Sequence, residues 1–204
     1  MKNQIIFIRG GEAFDTKEQY YNYLRQREYN PFEQKKSWRD WIGWALSEEY
    51  EMMMPTMPNK HNADYLSWQI WFEKLFPYLN DQKLIVIGHS LGCIFLAKYL
   101  SENKFPKIID QLHLVAPVFE SEGLNGETVG DFTLNKNKLV NLGKQAKVIY
   151  IYCSQDDPVT PLRHGELYKE YLPKAELLIF EDRGHFIQPA LPELLGNIYK
   201  LEGK

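Results

Sequence analysis

The sequence has no long hydrophobic run, and none of its apolar stretches approaches the ~20 residues that a membrane-spanning helix requires. We therefore expect no membrane span. The first apolar stretch, Ile5 to Ile8, is also too short for the core of a signal peptide, and it is better interpreted as a strand. These absences favour a cytoplasmic protein.

Cysteine is equally scarce, because the chain has only Cys93 and Cys153. The patterns around them predict a helix and a strand, so we expect two buried free thiols, as in a reducing compartment. No spacing of cysteine and histidine indicates a zinc site, and we expect no bound metal.

Positive charge is not concentrated anywhere, since the formal net charge is −3 and the longest basic run is Lys35-Lys36. This pattern excludes the electrostatic footprint of a nucleic-acid-binding protein. The absence of G-x-G-x-x-G and of a phosphate loop excludes the common nucleotide-binding motifs. What remains is a chain of 204 residues, 44% hydrophobic and 25% charged, which fits one globular domain over residues 1–204.

Six short apolar segments bounded by turn residues predict strands. They are Gln4–Ile8, Glu51–Met54, Leu84–Ile87, Leu112–Val115, Val148–Tyr152 and Leu177–Phe180. Most are continuously apolar, which is typical of strands buried on both faces of a parallel sheet. Helical patterns lie between them, at Trp38–Leu46, Ala63–Leu79, 160–172 (capped by Thr160, with Pro161 first) and Pro192–Tyr199. We expect a doubly wound α/β fold with a six-stranded, mostly parallel sheet, whose ligands bind beyond the carboxyl ends of the strands.

The most specific motif is G-H-S-L-G at Gly88–Gly92, between the strand Leu84–Ile87 and a helical pattern. A sharp turn of this kind lifts a serine hydroxyl to the edge of a sheet, which predicts Ser90 as a nucleophile. The backbone N–H of Leu91, at the start of the helix, would then stabilise an oxyanion. The alternative is a glycine-rich turn of an ordinary α/β protein.

A serine nucleophile needs a base, and His185 is the best placed of the five histidines because it follows the last predicted strand. His89 lies inside the turn and is expected to point away from the hydroxyl. His113 falls in a strand and is expected in the core, whereas His61 and His164 are expected to be solvated.

The base in turn needs a carboxylate, and Asp157 is the candidate because it follows the fifth strand and precedes a helix. Its neighbour Asp156 is expected to bond nearby backbone N–H groups in the turn. Asp182 is expected to be a solvated loop charge. The second oxyanion donor should come from the loop after the first strand, where we favour the N–H of Gly11, with that of Glu12 as the alternative.

These motifs resemble those of small α/β-hydrolases, and more narrowly the serine hydrolases of the retinoblastoma-binding-protein type. The resemblance rests on the G-H-S-L-G turn, on Asp157-Pro158-Val159 and Gly184-His185, and on the stretch from Met54 to Asn59 that leads through Asn62-Ala63 to Trp68. It implies a six-stranded parallel core with little or no lid. It also implies a catalytic triad of Ser90, Asp157 and His185, which occur in the chain order of that superfamily. The first loop departs from the family pattern, since it reads Arg9-Gly10-Gly11.

Two features bear on the substrate. The aromatic-rich connection over residues 12–47 either forms a flap over the site or packs on the core as an extra helix. The residues that follow the strands, Ala116, Pro117, Val118, Phe119, Val159 and Phe186, predict an apolar pocket for an uncharged acyl group.

The sequence therefore predicts a serine hydrolase that cleaves carboxylic esters or thioesters of small to medium acyl substrates through an acyl-enzyme, with no cofactor. The substrate is expected to be a small molecule, and no protein partner is identifiable. The alternative is a protein-binding module with the same fold, in which hydrolysis is secondary or vestigial.

Overall fold

The computed structural model describes residues 1–32, 37–124, 126–201 and 203. Its centre is a six-stranded sheet in which every neighbouring pair of strands is parallel, in the order β2-β1-β3-β4-β5-β6. The strands are β1 (Asn3–Ile8), β2 (Tyr50–Met53), β3 (Leu84–His89), β4 (Ile109–Val115), β5 (Ala146–Ser154) and β6 (Glu176–Phe180). All six predicted strands are confirmed.

Helices cover both faces of this sheet. Those in the described ranges are α1 (Lys17–Gln26), α2 (Trp38–Leu46), α3 (Tyr65–Glu73), α4 (Leu91–Glu102), α5 (Leu139–Gln145), α6 (Leu162–Tyr171) and α7 (Pro192–Lys200). Alternate residues of the strands point to opposite faces of the sheet and belong to two separate apolar clusters. On one face, Ile6 and Val86 pack with α3 to α6. On the other face, Ile5 and Ile85 pack with α2 and α7. The fold is the doubly wound α/β architecture that the sequence predicted.

The strand order reverses beside β1. From β1 the chain first crosses to β2, then returns to β3 and continues outward to β6. The loops that follow β1 and β3 therefore leave the sheet in opposite directions and open a crevice at its carboxyl edge, which is where ligands bind in such sheets.

The predicted helices differ from the observed ones mainly at proline residues. The pattern over Ala63–Leu79 gives α3 and then a separate 3-10 turn at Phe76–Tyr78, because Pro77 lacks an N–H and restrains the residue before it. Thr160 does not cap α6 as predicted. Pro161 holds the cap position, and the Thr160 N–H donates instead to the carboxylate of Asp157.

The connection over residues 12–47 has two parts. Helix α2 packs on the core through Trp38, Ile42 and Leu46, whereas α1 has no buried residue and lies on the surface. The extra-helix interpretation is thus confirmed for α2. Residues 33–36 of this connection lie outside the described residues.

The described residues bear on the expectations for a membrane-spanning helix and for the two cysteines. Among them, no helix has the length and apolarity needed to cross a membrane. Cys93 and Cys153 are free and buried, as predicted.

Glycine at position 92 has a steric requirement that can be tested. A Cβ added there would lie 2.3 Å from the carbonyl oxygen of Ile8, which is backbone and cannot move aside. We expect Gly92→Ala to lower the free energy of unfolding by about 1–3 kcal/mol in urea denaturation. Gly196 in α7 is the matched control, because a Cβ there meets nothing within 4 Å. Gly196→Ala should raise stability by about 0.5–1 kcal/mol. Equal stability of the two variants would contradict the crowding argument.

Candidate active site

Ser90 lies in the sharp turn between β3 and α4. Its backbone has φ 54° and ψ −122°, a conformation that a non-glycine residue adopts only at a cost of about 1–3 kcal/mol. Its N–H donates to the carbonyl of Val115 at 3.0 Å, which anchors the turn to β4. The side chain remains in the wall of a cleft at the carboxyl edge of the sheet.

Glycines make this turn possible because other backbone segments approach it closely. A Cβ on Gly88 would lie 3.0 Å from the Cα of Cys93, and one on Gly10 would lie 2.9 Å from the Cβ of Ser90. The loop after β1 therefore passes directly over the serine.

The structure brings Ser90, His185 and Asp157 together in one hydrogen-bonded chain. The Nε2 atom of His185 lies 3.0 Å from Ser90 Oγ, and its Nδ1 atom lies 2.9 and 3.1 Å from the two carboxylate oxygens of Asp157. Because a carboxylate can only accept, Nδ1 carries the proton and Nε2 is free to accept the proton of the hydroxyl.

Asp157 is itself held rigidly. Its carboxylate is almost fully buried and accepts the backbone N–H groups of Val159 and Thr160 at 2.8 and 2.9 Å. These bonds fix the oxygens that orient the imidazole of His185.

Asp156 has a different role, because its side chain connects the loop after β5 to the loop after β6. Its Oδ1 accepts the hydroxyl of Ser154 at 2.5 Å and the N–H of Gly184 at 2.8 Å. These bonds, first that of Ser154, lower the pKa of Asp156. Asp156 does accept a backbone N–H, but this N–H belongs to the loop that carries His185 and not to the turn in which the sequence predicted the bond. Asp182 is exposed, as predicted.

Of the other four histidines, three are buried and one is exposed. His89 is buried, with Nε2 3.3 Å from the carbonyl oxygen of His185, and burial lowers its pKa well below the ordinary value. His113 lies in the core between Tyr152 and Gln111, as predicted.

The expectation for His164 was wrong, because this side chain is buried rather than solvated. Its Nδ1 accepts the N–H of Phe119 at 3.1 Å and its Nε2 donates to the carbonyl of Glu122 at 2.8 Å. It therefore fixes the loop after β4 on α6. His61 is exposed and pairs with Glu12 at 2.7 Å.

The geometry separates the candidates for the second oxyanion donor. The N–H of Glu12 already donates to the carbonyl of Lys60 at 2.7 Å. In the described part of the chain, the N–H of Gly11 has no such backbone acceptor. The N–H of Leu91 also lacks an intrahelical partner, because Leu91 is the first residue of α4.

The cleft around Ser90 has a volume of about 600 Å³ and differs from the predicted apolar pocket. Its ionisable lining residues are Arg9, Glu12, Arg27, Arg39, Lys60, His61, Glu127 and His185. Of the predicted apolar residues, only Val159 contributes. Phe119 and Phe186 are buried in the core, where they pack edge to face against Tyr168 and Phe180.

Glu12 organises one side of this cleft. It accepts hydrogen bonds from Tyr23 at 2.9 Å and Arg27 at 2.6 Å, both from the α1 region, and it pairs with His61. Burial raises the pKa of Glu12, but the bonds from Arg27, His61 and Tyr23 outweigh burial and hold it below the ordinary value. The sequence did not predict this cluster, because its members come from three separate segments.

Comparison with known proteins gives a family for the chain. A sequence model described as serine hydrolase matches residues 33–190. The serine hydrolase RBBP9 of Rattus norvegicus is 25% identical over 160 residues, which are 78% of this chain and 82% of the relative.

Solved structures resemble the fold along almost the whole chain. The ydeN gene product of B. subtilis is 19% identical with a TM-score of 0.74, and the match covers 100% of both chains. A carboxylesterase of Nitrososphaera gargenis is 14% identical with a TM-score of 0.63, and the match covers 99% of this chain and 92% of the other.

The family model spans more than half of the chain, and the parallel sheet agrees with the α/β-hydrolase fold of the structural neighbours. The chain therefore belongs to the serine hydrolase family and is an RBBP9-like α/β-hydrolase.

Proposed function

We propose that this protein hydrolyses carboxylic esters of small to medium acyl substrates through an acyl-enzyme on Ser90. The observation that carries the proposal is the unbroken hydrogen-bonded chain from Ser90 through His185 to Asp157, at the wall of an open cleft. The carboxylesterase among the structural neighbours is consistent with this reaction.

In the first step, Ser90 Oγ attacks the carbonyl carbon of the ester while His185 Nε2 accepts the hydroxyl proton. Asp157 stabilises the imidazolium that forms. The carbonyl oxygen becomes an oxyanion, for which the N–H groups of Leu91 and Gly11 are the donors. Each such donor is worth about 2.7–4 kcal/mol of transition-state stabilisation.

In the second step, the carbon–oxygen bond of the ester breaks and the leaving alcohol takes the proton from His185. Water then attacks the acyl-enzyme, with His185 again as base, and releases the acid and free Ser90. A thioester would follow the same steps with a thiol as the leaving group. No cofactor takes part.

The backbone of Ser90 supports catalysis over a role in binding alone. A strained turn costs free energy, and such strain is concentrated at functional sites. Here it directs the hydroxyl at the unprotonated nitrogen of His185, an arrangement that a protein-binding surface does not require.

The nucleophile can be tested with a fluorophosphonate probe, which labels an activated serine. We expect the wild-type protein to be labelled and Ser90→Ala to lose all labelling, because no other serine hydroxyl contacts His185 in the described residues. Ser47→Ala is the control, since Ser47 is exposed at the end of α2. A folded wild-type protein that takes no label would instead support the binding-module interpretation.

The base and its orienting carboxylate can be tested by steady-state kinetics on p-nitrophenyl esters. We expect His185→Ala and Asp157→Asn each to lower kcat by about 10³–10⁴-fold with little change in KM, because both groups act in the transition state. Asp182 lies in the same loop as His185 but is exposed, so Asp182→Asn should leave kcat and KM unchanged. Near-normal kcat in either of the first two variants would remove that residue from the mechanism.

A further inference from the structure

Two of the three arginines in the wall of the cleft that contains Ser90 are close to each other. Arg9 follows β1, and Arg39 is the second residue of α2. The Nη2 atom of Arg9 donates to the backbone carbonyl of Arg39 at 3.3 Å, so the two residues are direct neighbours. They form a cationic side of the cleft that the sequence analysis did not anticipate.

The arginines in the cleft differ in their partners. Arg9 pairs with Asp40 at 2.5 Å, and Arg27 pairs with Glu12 at 2.6 Å. Arg39 has no carboxylate partner among the described residues. Within the described residues, the Nε–H of its guanidinium donates to the hydroxyl oxygen of Ser37 at 2.8 Å. No described residue accepts a hydrogen bond from its two Nη groups.

The surroundings of Arg39 are unfavourable for a cation without a counter-ion. Its guanidinium is partly buried, and burial, followed by the like charge of Arg9, lowers its pKa. It also lies in the first turn of α2, where the helix dipole adds partial positive charge. An anion bound at this point would relieve all three effects.

Glu127 lines the cleft on the side of Glu12 and has no ion-pair partner among the described residues. Glu127 is electrostatically coupled to Glu12, His185 and Arg27, and burial raises its pKa. The groups that act on Arg39 are Arg9 and Asp40, and Asp40 is already bonded to Arg9. The charge on the α2 side is therefore not cancelled by the cleft itself.

We propose that Arg39, supported by Arg9, binds a carboxylate on the substrate, so that the preferred esters carry a negative charge beside the bond that Ser90 attacks. This inference rests on the proposed function. A planar guanidinium whose two Nη groups bond to no described residue matches a carboxylate through paired, charge-assisted hydrogen bonds. The local positive field also attracts anionic substrates to a chain whose net charge is −3.

The test compares kcat/KM for two matched ester pairs. On the acyl side, the p-nitrophenyl half-ester of glutarate is compared with p-nitrophenyl pentanoate. On the alcohol side, 4-acetoxybenzoate is compared with its methyl ester. The quantity measured is the anionic-to-neutral preference of each variant divided by that of the wild type, because intrinsic ester reactivity cancels in this ratio.

We expect Arg39→Gln to lower the preference about tenfold in the pair whose carboxylate reaches Arg39, as for the loss of one charge-assisted interaction. Arg39→Lys keeps the charge without the planar fork and should lose less. Arg163→Gln is the control for net charge, because Arg163 is exposed on α6 and pairs there with Glu170. It should leave the preference unchanged.

A preference that is unchanged by Arg39→Gln in both pairs would overturn the inference. Loss of the proposed function is a separate result, seen as no turnover of any ester or as full turnover by Ser90→Ala. In that case, equilibrium binding of glutarate, which has no ester bond to cleave, to the wild type and to Arg39→Gln decides the point. Tighter binding with Arg39 present supports the anion site, and equal binding rejects it.

Discussion

The close approach of the Ser90 turn to the end of β1 is the constraint on which the site depends. The backbone at Gly92 packs against the carbonyl of Ile8, and Gly10 packs against Ser90 itself, at distances that leave no room for a Cβ. This contact holds the loop that contains Gly11 against the turn that contains Ser90 and Leu91. At the same turn, Ser90 has a positive φ and its Oγ lies 3.0 Å from Nε2 of His185.

The cleft above this contact is divided by charge. On the α1 side, Glu12 forms an ion pair with Arg27 and a hydrogen bond with His61, and it thereby connects α1 to the loop that precedes α3. On the α2 side, Arg39 has no such partner among the described residues. The proposed ester hydrolysis uses the Ser90 hydroxyl, the His185 imidazole, the Asp157 carboxylate and the oxyanion donors, so the α2 side of the cleft is available for selecting the substrate.

The sheet and the three hydrogen-bonded residues of the candidate site could be predicted because each follows from local patterns. Continuous apolar segments indicate buried parallel strands, and parallel strands bring their carboxyl ends to one edge. Ser90, Asp157 and His185 each follow such a strand. The charged cleft could not be predicted, since Glu12, Arg39 and Glu127 come from separate segments with no shared motif. Helix α1 was missed because it buries no residue and so has no apolar stripe, and the burial of His164 depends on a loop that is distant in sequence.

The most direct test of a covalent mechanism is to trap the intermediate. The protein is mixed with p-nitrophenyl acetate, quenched in acid within milliseconds, digested and mapped by mass spectrometry. The account predicts one acetyl group on the peptide that contains Ser90, formed at the rate at which the first p-nitrophenolate is released. Ester turnover with no acetyl group on Ser90, or with the group on another side chain, would contradict it.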